Sequence, residues 1–390
     1  MLKVTSANTI LVLVRMCVSL ISQKVLAIII GAEGLALVGN LKNVTSFFEQ
    51  FSILGTTNGL IKYISEYRDD KKQLNNLFST TFIFAGLATL ASFAILFFCS
   101  STLNEVIFGL DKNYGFVFKI LSFIIPFMAI NSILYSLLNG LSSYKVYSKL
   151  TLLNIIISTI LIVALTYSYG VKGSLITLGV MPLIHFFNYI IFFGKSHKSY
   201  LRVDCIKLGL GFKNQLLSYS FMTVIVVFFI NITDIAIRNL IESKMSIVEA
   251  GYWTAMTSIS KTYMQFLAAI FPLYVLPRYA KINTTFEFRN EVKKIYKMLL
   301  PLIILGMVTV FFARTLIVKL LYTIEFLSIS SMFKWQLLGD LLKFIAIVIS
   351  YQFLAKRQIG YFIFTELLSV LLFYVLSVYF INIYGTEGVV

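Results

Sequence analysis

The sequence predicts an all-α integral membrane protein built from two six-helix lobes. Three observations predict this fold class: the composition, a series of long apolar segments, and a glycine turn that recurs at a regular distance. Of the 390 residues, 58% are hydrophobic and only 13% are charged, and the mean hydropathy is +0.87. Because an ordinary soluble domain has about 25% charged residues, this composition excludes a soluble globular protein.

Eleven apolar segments are long enough to cross a bilayer, whose hydrocarbon core takes about 20 helical residues. They cover residues 5–30, 35–61, 77–100, 116–140, 149–169, 173–194, 215–241, 251–277, 295–321, 331–355 and 361–383. The first segment contains Arg15 and Lys24 and has no small-residue cleavage pattern. We therefore interpret it as a membrane span rather than a cleavable signal peptide.

The connections between these spans alternate in charge. One set contains nineteen Lys and Arg residues, whereas the opposite set contains only Lys112, Lys172 and Lys244. By the positive-inside rule, the basic connections and the amino terminus are cytoplasmic. The net charge is +16, but the cations are spread between apolar runs rather than gathered into one stripe, which favours anionic lipid or an anionic substrate as the partner over nucleic acid.

A Gly-x-x-Gly turn follows several spans and indicates an internal repeat. It occurs at Gly31 and Gly34, Gly170 and Gly173, and Gly385 and Gly388, with a looser version at Gly251. The distances from Gly31 to Gly251 and from Gly170 to Gly385 are 220 and 215 residues, which predicts two homologous halves in parallel orientation. We expect an N-terminal lobe of spans one to six in residues 1–194 and a C-terminal lobe in 195–390. The C-terminal lobe would hold spans seven to eleven and the start of a twelfth helix, the rest of which we expect to be missing from the chain.

Polar residues fall on helical faces within the first two spans of both halves. A Lys or Arg at the bilayer centre costs about 2.5–3.5 kcal/mol, so we expect these faces to border a central cationic cavity between the lobes. The polar faces comprise Arg15 with Asn8, Ser19 and Ser22 on span one, Lys42, Thr45, Glu49 and Thr56 on span two, Asn231, Asp234 and Arg238 on span seven, Trp253, Thr257, Lys261 and Gln265 on span eight, and Gln336, Asp340 and Lys343 on span ten.

These faces supply the candidate functional residues. The substrate-binding candidates are Arg15, Lys42, Asn58, Lys62, Arg238, Trp253, Lys261, Tyr263 and Gln265. The ion-coupling candidates are the intramembrane carboxylates Glu49, Asp234 and Asp340. An alternative stays open, because Asp234 with Arg238 and Asp340 with Lys343 have the spacing of intrahelical ion pairs that only stabilise packing.

Several function classes are excluded by what the sequence lacks. No phosphate-binding loop is present, and the longest connections, 195–214 and 278–294, are too short for a nucleotide-binding or glycosyltransferase domain. The three cysteines are far apart, and neither histidine stands in a catalytic or metal-binding motif. We expect a secondary transporter that uses no cofactor or metal, with a phosphate-bearing lipid-linked sugar as its substrate. An ion-coupled drug antiporter and, less favoured, an oligosaccharide polymerase are the alternatives.

Three stretches carry a family resemblance: "TNGLIKYISEYRDDKKQL" (57–74), "AGYWTAMTSISKTYMQFLAAIFPLYVLPRYAKI" (250–282) and "MFKWQLLGDLLKFIAIVISYQFLAKRQ" (332–358). They resemble the Wzx-type O-antigen translocases, a group that includes the lipid III flippase of enterobacterial common antigen. The resemblance places these residues on positions of the family pattern: Asn58, Gly59, Lys62, Tyr63, Ser258, Ser260, Tyr263, Gln265, Trp335, Gln336, Asp340 and Lys343.

The resemblance also implies a fold and a function. The fold is that of the multidrug/oligosaccharidyl-lipid/polysaccharide (MOP) exporters. The function is alternating-access transfer of undecaprenyl-pyrophosphate-linked O-antigen repeat units across the bacterial inner membrane, as a step of lipopolysaccharide biosynthesis. The polysaccharide polymerase and the chain-length regulator are the protein partners that this function would imply.

Overall fold

The structure is a computed structural model that describes residues 2–192, 209–275, 278–279, 282, 284–356 and 358–390. Helices are the only regular secondary structure in these residues. Eight of the described helices are long and apolar enough to cross a membrane: Val14–Phe51, Lys71–Phe98, Gly115–Gly140, Lys145–Phe192, Lys213–Lys244, Thr285–Leu321, Phe333–Ala355 and Ile359–Val389. The predicted all-α membrane fold is therefore confirmed.

The described α-helices are numbered here in chain order. They are α1 (Leu2–Phe51), α2 (Thr57–Glu66), α3 (Lys71–Phe98), α4 (Ser100–Phe108), α5 (Gly115–Gly140), α6 (Tyr144–Phe192), α7 (Lys213–Lys244), α8 (Ile247–Ile270), α9 (Thr285–Leu321), α10 (Phe333–Ala355) and α11 (Ile359–Tyr384). A π-helical turn, Phe271–Val275, continues α8, and 3₁₀ turns cover Ile324–Ser331 and Gly385–Val389.

Most of the eleven predicted spans coincide with these helices over the described residues. Each of the two longest helices holds two spans, because α1 is broken at Gly31 and α6 at Gly170. Residues 251–275 of the predicted span 251–277 lie on α8 and its π-helical continuation, outside the eight helices that meet the membrane criteria, and residues 276 and 277 lie outside the described residues. The short helices α2 and α4 had no counterpart among the predicted spans, since they are too short to cross a bilayer.

The Gly-x-x-Gly pattern marks sharp reversals of the chain. At the first glycine of each turn, φ is +62° in Gly31, +58° in Gly170 and +59° in Gly385, and ψ is strongly negative, a conformation that essentially only glycine adopts. The second glycine lies against the preceding helix. A Cβ on Gly173 would be 1.9 Å from the carbonyl oxygen of Leu165, eight residues earlier. The turn therefore needs glycine at both positions, which explains why the pattern recurs.

The predicted second span, 35–61, is wrong in its extent. Helix α1 ends at Phe51 and α2 begins at Thr57, with left-handed backbone at Leu54 (φ 50°) and Gly55 (φ 64°) between them. A Cβ on Gly55 would lie 2.9 Å from the Cβ of Thr223 in α7, so close packing requires a glycine here. As a result, Thr56 does not continue the helical face that begins with Lys42, Thr45 and Glu49.

The chain divides into two compact units, unit 1 (Met1–Ser22 and Leu37–Ile232) and unit 2 (Gln23–Ala36 and Thr233–Val390). In unit 1, α5 packs against α2, α3 and α6, around a core that includes the fully buried Leu60, Leu77 and Leu137. The predicted boundary between the lobes, at residues 194 and 195, lies outside the described residues and stays a prediction.

The described residues of unit 2 include two apolar clusters. One includes Phe271 and Ile295 together with Phe344 and Val348 of α10, and α9 packs against α10. The other gathers α7, α8 and the 3₁₀ turn after α11, around Trp253. Most of the apolar surface of α9 and α11 is uncovered by protein, as expected for helices that face lipid.

Candidate functional site

Unit 1 contains a polar cavity of about 590 Å³, within the range of roughly 300–1,000 Å³ that small-molecule sites occupy. Helices α1, α2, α5 and α6 contribute most of the wall, and α7 contributes Thr223. The lining residues are Thr45, Glu49, Gln50, Thr57, Asn58, Met128, Asn131, Ser132, Tyr135, Asn154, Leu178, Met181, Pro182, His185, Tyr189 and Thr223.

Amide side chains in this wall are oriented by their hydrogen bonds. Asn131 Nδ2 donates to the carbonyl oxygen of Pro182 at 2.7 Å, and Asn188 Nδ2 donates to Asn154 Oδ1 at 2.8 Å. These bonds engage the Nδ2 group of Asn131 and the Oδ1 atom of Asn154. The Oδ1 atom of Asn131 is buried and has no hydrogen-bond partner among the described residues, so a hydroxyl or N–H donor would satisfy it.

The titratable groups of the wall differ in their surroundings. His185 Nε2 forms a hydrogen bond with the Ser158 hydroxyl at 3.1 Å. The guanidinium of Arg15 interacts electrostatically with the Glu49 carboxyl and with Tyr135. Because Glu49 is exposed, its carboxylate is open to whatever occupies the cavity. A membrane-embedded wall of this kind provides hydrogen-bonding groups and one carboxyl group near a guanidinium.

The predicted site residues of unit 1 reach this cavity only in part. Asn58 and Glu49 line it, whereas the lining residues of the described chain include no Lys or Arg. Arg15 and Lys42 are exposed, and Lys62 Nζ lies 4.6 Å above the ring of Tyr63. The cationic cavity predicted between the lobes stays a prediction, because this cavity belongs to unit 1 alone.

In unit 2, a buried carboxylate joins α10 to α8. Asp340 is only 4% exposed, and its Oδ2 accepts hydrogen bonds from Ser260 Oγ at 2.7 Å and from the hydroxyl of Tyr263. Both hydroxyls belong to the neighbouring helix. We refer to Ser260, Tyr263 and Asp340 as the carboxylate cluster. Its hydrogen bonds join two helices, whereas the sequence spacing allowed an ion pair between Asp340 and Lys343 within one helix.

Three further contacts join α7 to α8 among the described residues. Lys261 Nζ lies 2.7 Å from Asp234 Oδ2, and the lysine side chain is 60% exposed. Arg238 is buried, donates from Nε to Thr254 Oγ1 at 2.9 Å, and lies over the Trp253 ring at 5.3 Å. Arg238 and Trp253 are therefore packed inside unit 2 in this conformation. Gln265, the remaining candidate of α8, is exposed.

Sequence reasoning missed much of the cavity wall. It overlooked Asn131 and Tyr135 of α5, Asn154 of α6, and His185 and Tyr189 near the end of α6. The signal was present, since Asn131 and Tyr135, like His185 and Tyr189, are polar residues spaced i,i+4 within apolar segments, and such pairs share one helix face.

The helical fold and the membrane-embedded polar cavity define the class: a multi-pass membrane protein with the fold of the MOP transporters. Residues 1–283 match the model of the polysaccharide biosynthesis protein family, and the chain belongs to that family.

The relatives are consistent with this class. The chain is 27% identical to the lipid III flippase of Escherichia coli (strain K12), over 98% of this chain and 91% of the relative. Among solved structures, it is similar to the lipid II flippase MurJ in an inward closed conformation, with a TM-score of 0.73 and 17% identity over 100% of this chain and 83% of that one. A multidrug resistance MATE family transporter in an inward-facing conformation gives a TM-score of 0.76 with 12% identity, over 96% of this chain and 89% of that one.

Proposed function

We propose that the protein is a flippase that carries lipid-linked oligosaccharides from the inner to the outer leaflet of the bacterial inner membrane. The observation that carries this proposal is the polar cavity enclosed by apolar helices in unit 1. The name of the relative, lipid III flippase, supports a lipid-linked saccharide as the passenger. The family membership agrees with a role in making a surface polysaccharide.

The chemistry of the cavity suits such a passenger. Burying a hydroxyl or amide without a hydrogen-bond partner costs several kcal/mol in an apolar medium, so a sugar head cannot cross hydrocarbon alone. The cavity replaces water with amide, hydroxyl and imidazole groups from Asn58, Ser132 and His185. No covalent step is needed, and the lipid tail can stay in the bilayer while the head crosses.

The finer proposal names the passenger as an undecaprenyl-pyrophosphate-linked O-antigen repeat unit or a related surface polysaccharide unit. Exposed Lys261, together with exposed Arg15 and Lys42, supports phosphate binding by cations. Arg238 would take part only in a conformation in which α7 and α8 separate, because its guanidinium is now packed between them. The proposed phosphate ligands are Arg15, Lys42, Lys62, Arg238 and Lys261. The proposed sugar contacts are Asn58, Trp253, Tyr263 and Gln265. The proposed coupling carboxylates are Glu49, Asp234 and Asp340.

The orientation of the protein in the membrane and its partners are part of the same proposal. The excess of Lys and Arg in alternate connections supports a cytoplasmic amino terminus and contact with anionic lipids. The polysaccharide polymerase and the chain-length regulator are the proposed protein partners, because they act on units delivered to the outer leaflet.

Complementation tests this function. A bacterial strain lacking its own repeat-unit translocase would express the chain, and surface polysaccharide would be measured. We expect restoration by the unsubstituted chain and by the Lys112→Ala and Lys172→Ala controls in the connections. We expect at least a tenfold loss in Arg15→Ala, Lys42→Ala and Lys261→Ala at matched expression.

The outcomes separate the possible functions. Normal polysaccharide from all three variants would contradict the role of the cations. Single units displayed at the surface of cells lacking the protein would favour a polymerase, whereas a flippase defect leaves units on the inner leaflet. Restored drug resistance without restored polysaccharide would favour a drug antiporter.

A further inference from the structure

We infer that Asp234 is a built-in counter-ion of Lys261, one of the proposed phosphate ligands: it holds the lysine in the absence of substrate, and the substrate phosphate exchanges with it. The inference rests on the proposed function and deepens it, because it assigns the regulation of binding and release at that lysine. The contact that carries it is the ion pair in unit 2 between Lys261 Nζ and Asp234 Oδ2, which are 2.7 Å apart.

The two partners of this pair differ in exposure. The Lys261 side chain is 60% exposed, whereas that of Asp234 is 15% exposed. A ligand that approaches the pair therefore meets the ammonium group first, while the carboxylate is largely enclosed by protein. The cation is within reach of an anion, and the carboxylate that competes for it stays beside it.

The ammonium group has capacity for a ligand in addition to Asp234. A lysine ammonium has three N–H donors and no acceptor. Lys261 Nζ donates to Asp234 Oδ2, and no second acceptor of this group is found among the described residues. A phosphate oxygen can therefore bind before the carboxylate leaves, so the exchange needs no step in which the ammonium has no partner.

Asp234 keeps a cation nearby after the exchange. Arg238 follows it by one turn on α7, at the i,i+4 spacing, and the two side chains interact electrostatically. Arg238 is buried and donates from Nε to Thr254 Oγ1 at 2.9 Å, so its position does not depend on Lys261. One carboxylate is thus shared between two cations, which limits the free energy needed to release the lysine.

The exchange affects both the strength and the duration of phosphate binding. A carboxylate that occupies the same ammonium lowers the affinity of the lysine for other anions, because the ligand must offset the loss of the existing pair. When the phosphate departs, the carboxylate takes its place again and so speeds release. Fast release matters in a transport cycle, since a tightly held ligand dissociates slowly and release often limits turnover.

A purely structural role of the pair predicts a different result. An exposed ion pair contributes little to stability, but a carboxylate also neutralises a lysine that lies in a predicted membrane span. In that role, the loss of Asp234 would lower stability or membrane insertion and would not strengthen the binding of anions. Stronger anion binding after removal of the carboxylate is therefore specific to the counter-ion role.

Binding of a soluble anion tests the inference without relying on transport. The probe is the symmetrical dimethyl ester of pyrophosphate, which has the pyrophosphate bridge but neither sugar nor lipid. The purified full chain in nanodiscs of phosphatidylcholine, a lipid without net charge, would be titrated and followed by phosphorus NMR. We expect Asp234→Asn to lower the dissociation constant about fivefold, which matches the free energy of a strong exposed ion pair.

Two further variants of the same position check the chemistry. Asp234→Ser is a second neutral variant and should give a similar gain in affinity. Asp234→Glu keeps the carboxylate and should bind the probe about as the unsubstituted chain does. Glu325→Gln, which removes an exposed carboxylate elsewhere in unit 2, is the matched control and should leave the dissociation constant unchanged.

A double-variant cycle locates the gain on Lys261. Lys261→Gln alone should weaken binding of the probe. Asp234→Asn should bring no gain in the Lys261→Gln background, because the carboxylate then has no ammonium to occupy.

Flipping in proteoliposomes provides a second readout. With a fluorescent lipid-linked oligosaccharide as substrate, Asp234→Asn should lower KM and kcat together, because the ligand binds more tightly and leaves more slowly. A lower KM with an unchanged kcat would contradict the role in release.

The binding results decide the inference independently of transport. An unchanged or higher dissociation constant in both neutral variants, a gain that persists without Lys261, or no binding of the probe to any form would overturn it. Any of these results together with successful complementation would leave the proposed transport standing. Tighter binding by Asp234→Asn combined with failed complementation would instead contradict the proposed transport and leave the counter-ion role standing.

Discussion

The two units use intramembrane polar residues in different ways. In unit 1, Asn58, Glu49 and His185 border an open cavity of about 590 Å³. In unit 2, Asp340 and Arg238 are buried to 4% and 3% exposure and have hydrogen-bond partners on neighbouring helices. By sequence these faces look alike, since both halves carry polar residues at helical spacing. The difference teaches that a polar stripe on a membrane helix can border either an open cavity or a neighbouring helix.

This comparison assigns different consequences to substitutions in the two units. Removing a wall residue of the cavity should weaken ligand binding while leaving the fold intact. Removing a partner in the packed contacts of unit 2 should first lower the free energy of unfolding. The following predictions use that contrast.

The largest effect on stability is expected in the carboxylate cluster. Asp340→Ala leaves the hydroxyls of Ser260 and Tyr263 without their acceptor, and an unsatisfied buried donor costs about 1–3 kcal/mol. We expect a loss of about 2–4 kcal/mol in the free energy of unfolding, measured by denaturation in detergent. The control Asp234→Asn should cost less than about 1 kcal/mol, since its partner Lys261 is 60% exposed. Equal losses in both variants would contradict the cluster's role.

The second prediction concerns close packing in unit 2. A Cβ on Gly251 would lie 2.0 Å from the carbonyl oxygen of Ala32, and overpacking of this kind costs about 1–3 kcal/mol. Gly251→Ala should lower the thermal unfolding temperature, whereas Gly339→Ala should not, because nothing lies within 4 Å of its Cβ position. Identical melting curves for the two variants would contradict this prediction, since they would mean that the backbone near Gly251 shifts to accommodate the Cβ with no loss of stability.

The third prediction addresses the cavity of unit 1. Asn58→Ala removes a wall group at an exposed position, so the free energy of unfolding should change by less than about 0.5 kcal/mol. One hydrogen bond contributes about 0.5–1.5 kcal/mol, which corresponds to a roughly two- to tenfold loss of affinity. Flipping of a fluorescent lipid-linked oligosaccharide in proteoliposomes measures this loss. Unchanged flipping at low substrate concentration would remove Asn58 from the site.

The smallest effect is expected from a surface ion pair of unit 2. Lys334 Nζ lies 3.4 Å from Glu387 Oε2, and the lysine side chain is 53% exposed. Exposed pairs contribute about 0–1 kcal/mol, so Lys334→Ala should shift the unfolding temperature by only a few degrees at most. Thermal unfolding at low and high salt checks this. A loss above about 2 kcal/mol would mean that the side chain has a larger packing role.

The parts of the fold that depend on local chemistry could be predicted from the sequence. Apolar length defines the spans, and the backbone conformation at Gly31 and Gly170 is one that other residues rarely adopt, so the turns are visible as a pattern. The break after Phe51 could not be predicted in the same way. It depends on the approach of Thr223 to Gly55, a contact between residues far apart in the chain.

The candidate site shows the same division. The polarity of the face containing Glu49 is a property of one helix and could be predicted. The partners of Asp340, by contrast, are 80 and 77 residues away at Ser260 and Tyr263, and no spacing along one helix indicates them. The wall contributed by α5 and α6 depends on how these helices pack, which the sequence pattern does not specify.

Thiol labelling tests the central claim, that Asn58 of unit 1 lines a cavity open to the substrate whereas Ser260 of unit 2 is packed between helices. Cys17, Cys99 and Cys205 would first be replaced by alanine, and Asn58→Cys and Ser260→Cys would be made singly in that background. A water-soluble maleimide would then be applied to the purified protein with and without lipid-linked oligosaccharide. We expect rapid modification of the Asn58→Cys variant that the substrate slows at least fivefold, and little modification of the Ser260→Cys variant in either condition. Modification of both variants at equal rates, or no protection of the Asn58→Cys variant, would contradict the account.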